Sequence, residues 1–178
     1  MSDAVRQLVR SARGGDQRAF AALHARYARM VHAILLSKLP HADVEDQVQE
    51  VFLTAWKKLA QLDDPAVLGA WLGTIARNRA ADWHRRRHAT EPLSDTVADP
   101  STAQSSDRAE TRRVLAAIQT LPEAYRETLL MRLCEGMSGP EIADVTGLEP
   151  GSVRINLHRG MKLLRDKLGI QLEAAANE

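Results

Sequence analysis

Five arginines crowd one stretch of the chain, Arg77, Arg79, Arg85, Arg86 and Arg87, and such a cluster is suited to neutralising phosphates. A solvated helix face also carries arginines, but three in succession beside an otherwise charge-balanced sequence favour a nucleic-acid partner. Asn78 lies inside the cluster with Asp82 four residues on, so the two share a face of a helix. A second cationic group holds Arg154, His158, Arg159, Lys162, Arg165 and Lys167. Basic residues complement the C-terminal end of a helix, which accounts for Arg165 and Lys167 but not for Arg154, placed in a first helical turn where the dipole opposes it. A third group is acidic, Asp43, Glu45, Asp46 and Glu50, at a helix start where the dipole alone favours carboxylates. The histidines at 24, 32, 41, 84, 88 and 158 have no close metal-ligand spacing, and no nucleophile motif or phosphate-cradling glycine loop occurs. No metal, no cofactor and no enzyme is therefore expected.

The elements that must position these groups follow from apolar spacing. A short helix is expected over Asp3 to Ala12, a stop at Gly14-Gly15, and a second helix capped by Asp16, with Phe20, Leu23, Tyr27, Val31 and Ile34 on one stripe. Pro40 closes it, and Asp43 opens a third helix with Val44, Val48, Val51, Phe52, Ala55 and Leu59 on its apolar side. After the turn at Asp63-Asp64-Pro65, Leu68, Trp71, Leu72, Ile75, Ala76 and Ala80 carry a fourth helix to about His88. Phe52, Trp56, Trp71 and Trp83 are read as core residues. From His88 to about Ser106 the chain has two prolines and few large apolar residues, so it is read as a flexible linker. Beyond it, Val114, Leu115 and Ile118 mark a helix that stops at Leu121, and Pro122 suits the first turn of the next, running through Leu133 towards Gly136. No segment alternates as a strand does. The fold class is all-α: two small helical domains, 1–88 and 107–178, joined by the linker 89–106.

The stretch from Ser138 to Leu168 has helix-turn-helix spacing. Ser138 can cap a helix containing Ile142 and the small Ala143, Gly147 can take the left-handed backbone of a tight turn, and Pro150 starts a second helix whose Val153 and Leu157 face inward. Arg154, Ile155, His158 and Arg159 are then left outside. An arginine so placed can pair bidentately with guanine in the major groove, worth about 1–3 kcal/mol of discrimination, while neighbouring cations hold phosphates.

Composition limits the remaining choices. The 178 residues are 44% hydrophobic, enough for helical cores, and 24 Lys and Arg against 23 Asp and Glu leave a net charge of +1, so only segregation of charge can signal a polyanion partner. The single Cys134 forms no internal disulfide and is read as a structural thiol, in keeping with a reducing cytoplasm. No apolar run of roughly 18 residues occurs, so no membrane insertion and no export are expected. Nothing after Leu168 suggests a further domain, which points to control from outside.

From about Leu8 to Leu168 the chain resembles an extracytoplasmic-function sigma factor of bacterial RNA polymerase. The residues that carry the resemblance are Asp43-Val-Glu-Asp-Gln-Val-Gln-Glu-Val-Phe-Leu-Thr-Ala-Trp56, then Ala70-Trp-Leu-Gly-Thr-Ile-Ala-Arg-Asn-Arg-Ala-Ala-Asp-Trp-His-Arg-Arg-Arg87 for the family's domain two. For its domain four they are Leu121-Pro122, Glu141-Ile-Ala143, Gly151-Ser-Val-Arg154 and Leu157-His-Arg159. The resemblance implies that Asp43, Glu45, Asp46, Gln49 and Glu50 dock on the clamp helices of the largest subunit of core RNA polymerase. It implies that Asn78 reads an extruded base of the promoter −10 element, with the loop from Leu62 to Pro65 helping to form the pocket and Arg77, Arg79, Asp82, Arg85, Arg86 and Arg87 around it. It further implies that Ser152, Arg154, Ile155, His158, Arg159 and Lys162 lie on the −35 element of promoter DNA, and that an anti-sigma factor masks both domains. The chain departs from the family pattern at Ile155-Asn156, where many relatives have Ser-Arg, at Glu149, a poor cap where relatives have Ser, and at Leu62, where relatives often have an aromatic. An isoleucine touches a thymine methyl but forms no hydrogen bond, so an atypical −35 hexamer is expected. The competing reading is a helix-turn-helix transcriptional regulator with an N-terminal helical sensing or dimerisation domain, which would need a ligand pocket or dimer face that the acidic and basic helices of the first block do not suggest.

Overall fold

The computed structural model describes residues 3–90 and 106–169, and every regular element among them is helical. In chain order these are α1 (Asp3–Arg13), α2 (Gln17–Leu36), α3 (His41–Lys58), 3-10 turns at Leu59–Gln61 and Pro65–Val67, α4 (Leu68–Thr90), α5 (Ser106–Gln119), α6 (Glu123–Leu133), α7 (Gly139–Thr146) and α8 (Pro150–Leu168). The expected linker lies outside the described residues except at its ends, where α4 runs on to Thr90 and α5 starts at Ser106.

Local chemistry sets the element ends. Gly15 turns with φ +90°, and Asp16 caps α2 by accepting hydrogen bonds from the amides of Arg18 and Ala19 at 2.9 and 3.2 Å. Leu23, Tyr27, Val31 and Ile34 of the predicted stripe are buried, whereas Phe20 is half-buried and meets Trp56 edge-on at 4.7 Å. The third helix starts at His41 rather than Asp43, because Pro40, with φ −58° and ψ 141°, is itself the boundary residue, and no side chain caps it. Leu59 falls in the 3-10 turn rather than the helix, yet it is buried, and its carbonyl accepts a bond from Arg13 Nε at 3.2 Å. Pro122 stands one residue before α6 as its cap rather than in its first turn.

α2 is the central element of the first half. α1, α3 and α4 pack around it, with Val5 and Val9, Val44 and Val51, and Leu72 and Ala76 each buried. In the second half α6 and α8 pack against each other, with α5 and α7 alongside, around Ile118, Leu129, Leu130, Ile142 and Val153. The two halves were expected to sit apart on their tether. Instead α2 packs on α6 and α7, α4 packs on α7, and one hydrophobic core runs through both. Linker composition says only that the joint buries little; it carries no information on whether the joined faces match.

Candidate nucleic-acid interface

The second half presents a helix through close packing of its neighbours. Ser138 accepts from the Glu141 amide at 3.4 Å while Glu141 accepts from the Ser138 amide at 2.7 Å, closing a reciprocal cap on α7. Gly147 ends α7 in the left-handed region at φ +74°, so a side chain there would be strained. Pro150 begins α8, and Glu149 makes no side-chain cap bond, as its chemistry led one to expect. Val153 and Leu164 are buried, Leu157 and Met161 partly so, and at Gly160 an added Cβ would lie 3.0 Å from Leu129 Cδ1, which shows how closely α8 lies on α6. Ser152, Arg154, Ile155, His158, Arg159 and Lys162 are consequently all exposed on the outer side. Ile155 presents 47% of its surface.

In the first half, Asn78 is exposed on α4 and lines a cleft of ≈ 390 Å³ between α3 and α4, together with Thr54, Lys58, Ile75, Asp82 and Arg85. Leu62 is not one of its walls. That residue was expected at the base pocket, but it is only 3% exposed, and the correction has a simple cause: an apolar side chain at the bend gains more from the core than from a wet cleft. Thr54 and Lys58, on the third helix and passed over in the sequence, stand where loop residues were expected. The arginines of α4 diverge. Arg79 donates to Gln47 Oε1 at 2.8 Å and Glu50 Oε2 at 3.1 Å, closing it onto α3. Arg85 is exposed and pairs with Asp82, Arg86 is exposed, and Arg87 lies 5.1 Å over the Trp83 ring. Arg77 points the other way, into the boundary between the halves, where it donates to both oxygens of Glu127 at 3.0 and 2.6 Å.

On α3, Glu45, Asp46 and Gln49 are exposed, Asp43 is half-buried at a second cleft, and Glu50 is engaged by Arg79. Leu53, 52% exposed, continues the row from Gln49; its position off the buried valine stripe was the available signal. Trp71 and Trp83 pack partly buried against the core, in line with a structural reading, and Cys134 is a free thiol at the exposed C-terminal cap of α6. Among the described residues no cluster of three or more metal-ligating side chains occurs, and no helix is long and apolar enough to cross a membrane.

The boundary between the halves is ionic at its edge. Arg26 pairs with Asp144, Arg29 with Glu141 at 3.2 Å, Lys38 with Glu123 at 2.8 Å, and Arg77 with Glu127 and, at 3.4 Å, Glu123. His32 Nδ1 lies 2.6 Å from Glu135 Oε1, with Glu45 at 3.7 Å from the other ring nitrogen. The bond to Glu135, against the opposing effect of burial, holds the His32 imidazole above its ordinary pKa, and the Lys38 ammonium holds the Glu123 carboxyl below its own. Backbone joins in: Arg126 donates to the Ser37 carbonyl at 2.9 Å and Gln119 to the Leu36 carbonyl at 3.2 Å.

Two family models match this arrangement, Sigma-70 region 2 over residues 23–90 and Sigma-70, region 4 over residues 111–164. RNA polymerase sigma factor CarQ of Myxococcus xanthus is 36% identical over 169 residues, covering 92% of this chain and 97% of that protein. RfaY of Xanthomonas campestris pv. campestris, described as a probable RNA polymerase sigma factor, is also 36% identical over 169 residues, 88% of this chain, but the chain spans only 42% of its length. Among solved structures, that of CnrH in complex with the cytosolic domain of CnrY matches with a TM-score of 0.62 and 31% identity over 96% of this chain and 100% of that one.

Proposed function

The chain belongs to the extracytoplasmic-function (ECF) family of RNA polymerase sigma factors, and from that membership we propose how its residues divide promoter recognition. The α8 residues Ser152, Arg154, Ile155, His158, Arg159 and Lys162 enter the major groove of the −35 element. Arg154 supplies the bidentate base contact and the remaining cations hold phosphates. Asn78 reads an extruded base of the −10 element at the cleft between α3 and α4, where Lys58 and Arg85 lie ready for the flanking phosphates. Glu45, Asp46 and Gln49, with Leu53 beside them, meet the basic clamp helices of core polymerase, where complementary charge speeds and orients docking. The protein adds no catalysis of its own; the polymerase makes the RNA. It acts in the cytoplasm, and an anti-sigma factor restrains it, a reading supported by the structure of the relative CnrH, which was solved with the cytosolic domain of CnrY.

The observation that carries this reading is the exposed row on α8, held outward by Val153 and Leu164 and by the close approach at Gly160. The test is transcription in vitro with purified core polymerase over a promoter library. Promoter-dependent transcripts are expected only when the protein is added, and Arg154→Ala is expected to relax the choice at one −35 position by about 10-fold or more. An absence of transcripts from every template refutes the function, and an unchanged promoter preference in the variant refutes the role of Arg154. A ligand-sensing regulator would instead protect an operator without polymerase.

A further inference from the structure

The ion pairs across the boundary are segregated by sign: among the described residues each cation belongs to the first half and each carboxylate to the second. Arg26 and Arg29 lie on α2, Lys38 just past its end, and Arg77 beside Lys38 on α4, the last two sharing Glu123. Twelve positions of mostly helical chain from Arg26 to Lys38 span about 18 Å, a length over which one strand of duplex presents about five phosphates. A guanidinium fork grips a carboxylate and a phosphate with the same two-point geometry, and Arg77 already grips Glu127 in that way.

We propose that Arg26, Arg29, Lys38 and Arg77 form a phosphate-binding strip for promoter DNA, and that in the free chain the second half covers it with Glu123, Glu127, Glu141 and Asp144. The proposal rests on the reading of α4 as a DNA-binding helix and adds a second, α2-borne surface to it. The closed form has to open in use. The −35 and −10 elements are about 25 base pairs apart, on the order of 85 Å of duplex at 3.4 Å per pair, whereas the two halves here are in contact. When they part to reach both elements, the carboxylates leave and the strip meets the phosphate backbone between the elements.

One position permits the closure without taking part in either charge set. An added Cβ at Gly69, in the first turn of α4, would lie 1.8 Å from the carbonyl oxygen of Val145 in α7, a backbone atom that cannot swing aside. Alanine at this position suits α4 itself, since a helix loses less entropy with alanine than with glycine. Gly69→Ala therefore opens the molecule while leaving every charge in place.

The experiment uses the full chain without polymerase. Small-angle scattering reads closure, and fluorescence anisotropy with a labelled 30-base-pair duplex of mixed sequence reads phosphate binding over a series of salt concentrations. Wild type is expected to be compact and to bind weakly; G69A is expected to expand and to bind about tenfold tighter, the penalty of the closed population having been removed. In the G69A chain, the triple change Arg26→Gln, Arg29→Gln and Lys38→Gln is expected to lower the slope of log affinity against log salt by about 2.7, at roughly 0.9 per lost phosphate contact. A G69A chain as compact as wild type overturns the cover. An expanded chain that binds no tighter, or one whose slope survives the triple change, overturns the strip. If G69A does not fold by circular dichroism, Glu123→Gln with Glu127→Gln opens the boundary by a second route and is read in the same way. Failure of the underlying reading looks different: Arg85→Gln with Arg86→Gln in the opened chain would then leave affinity unchanged, whereas if only the strip is wrong those two changes still weaken binding.

Discussion

Removing either partner of the Arg77–Glu127 pair should have unequal effects. The two hydrogen bonds, at 3.0 and 2.6 Å, are both charge-assisted, and bonds of that kind contribute about 1.5–3 kcal/mol each when well shielded. The partners differ in what surrounds them: the Glu127 side chain is 8% exposed and the Arg77 side chain 42%. After Glu127→Gln, the guanidinium can turn to water and to Glu123 at 3.4 Å, so the loss is discounted for solvent to about 1–2 kcal/mol. After Arg77→Gln, the carboxylate stays behind without its counter-charge in a site nearly closed to water, and the loss should be about 3 kcal/mol, the lower end for breaking a buried pair. A double-mutant cycle by equilibrium urea unfolding measures the coupling, expected at about 1.5 kcal/mol. Equal losses from the two single changes, or a coupling under about 0.3 kcal/mol, would show that the shielding of Glu127 has no energetic effect and would refute the reasoning.

Further outcomes follow from the same structure. His32 has a raised pKa when folded, so its contribution is fully present below the unfolded value of 6.5 and is lost as pH rises through the higher folded value. The stability gap between wild type and His32→Gln, followed by urea unfolding at several pH values, should therefore be widest below pH 6.5 and narrow progressively as pH rises above it, and a gap that widens with pH would contradict the Glu135 contact. Glu123 behaves in the opposite sense: its folded pKa lies below 4.5, so its pairing with Lys38 is in force above that value and fades as pH falls through the lowered one. In the second half, Ser138→Ala should cost about 1 kcal/mol through loss of the cap, and Gly147→Ala about 1–2 kcal/mol through left-handed strain, each lowering the midpoint of thermal unfolding without altering the exposed face of α8.

What could be read from the sequence is what local chemistry decides. The Asp16 cap, the Ser138 cap and the Gly147 turn each depend on residues within a few positions, so residue type and spacing were sufficient. The row on α8 was legible for the same reason: with Val153 and Leu157 inward, a helical period dictates which neighbours remain outside. Arg77 and Arg79 show the limit. Two arginines two residues apart, in like surroundings, were assigned one role, and a rotation of roughly 200° about the helix sends them to Glu127 and to Glu50 respectively. Nor could His32 be matched with Glu135, 103 positions away, since that contact exists only through the register of one half on the other. The Leu62 side chain lies in the core, in keeping with its departure from the aromatic that relatives often carry there.

A net charge of +1 gives no hint of a polyanion partner, and the ion pairs across the boundary show how cations suited to one can be hidden within such a total. The carboxylates that pair with Arg26, Arg29, Lys38 and Arg77 belong to the other half of the molecule, so these four cations are neutralised only while the halves are together. Several of these pairs are 21–51% exposed, and pairs of that kind contribute no more than about 1 kcal/mol each. They can thus be given up singly, with Arg77–Glu127 the strongest. When a carboxylate is exchanged for a phosphate, the counterions released from the DNA are partly offset by cations drawn to the freed carboxylate, so the net release is smaller than for a bare cation. The closed chain should accordingly respond to salt less steeply than the open one, which makes the salt slope, rather than the affinity at any one ionic strength, the quantity that reports how many of these cations meet DNA.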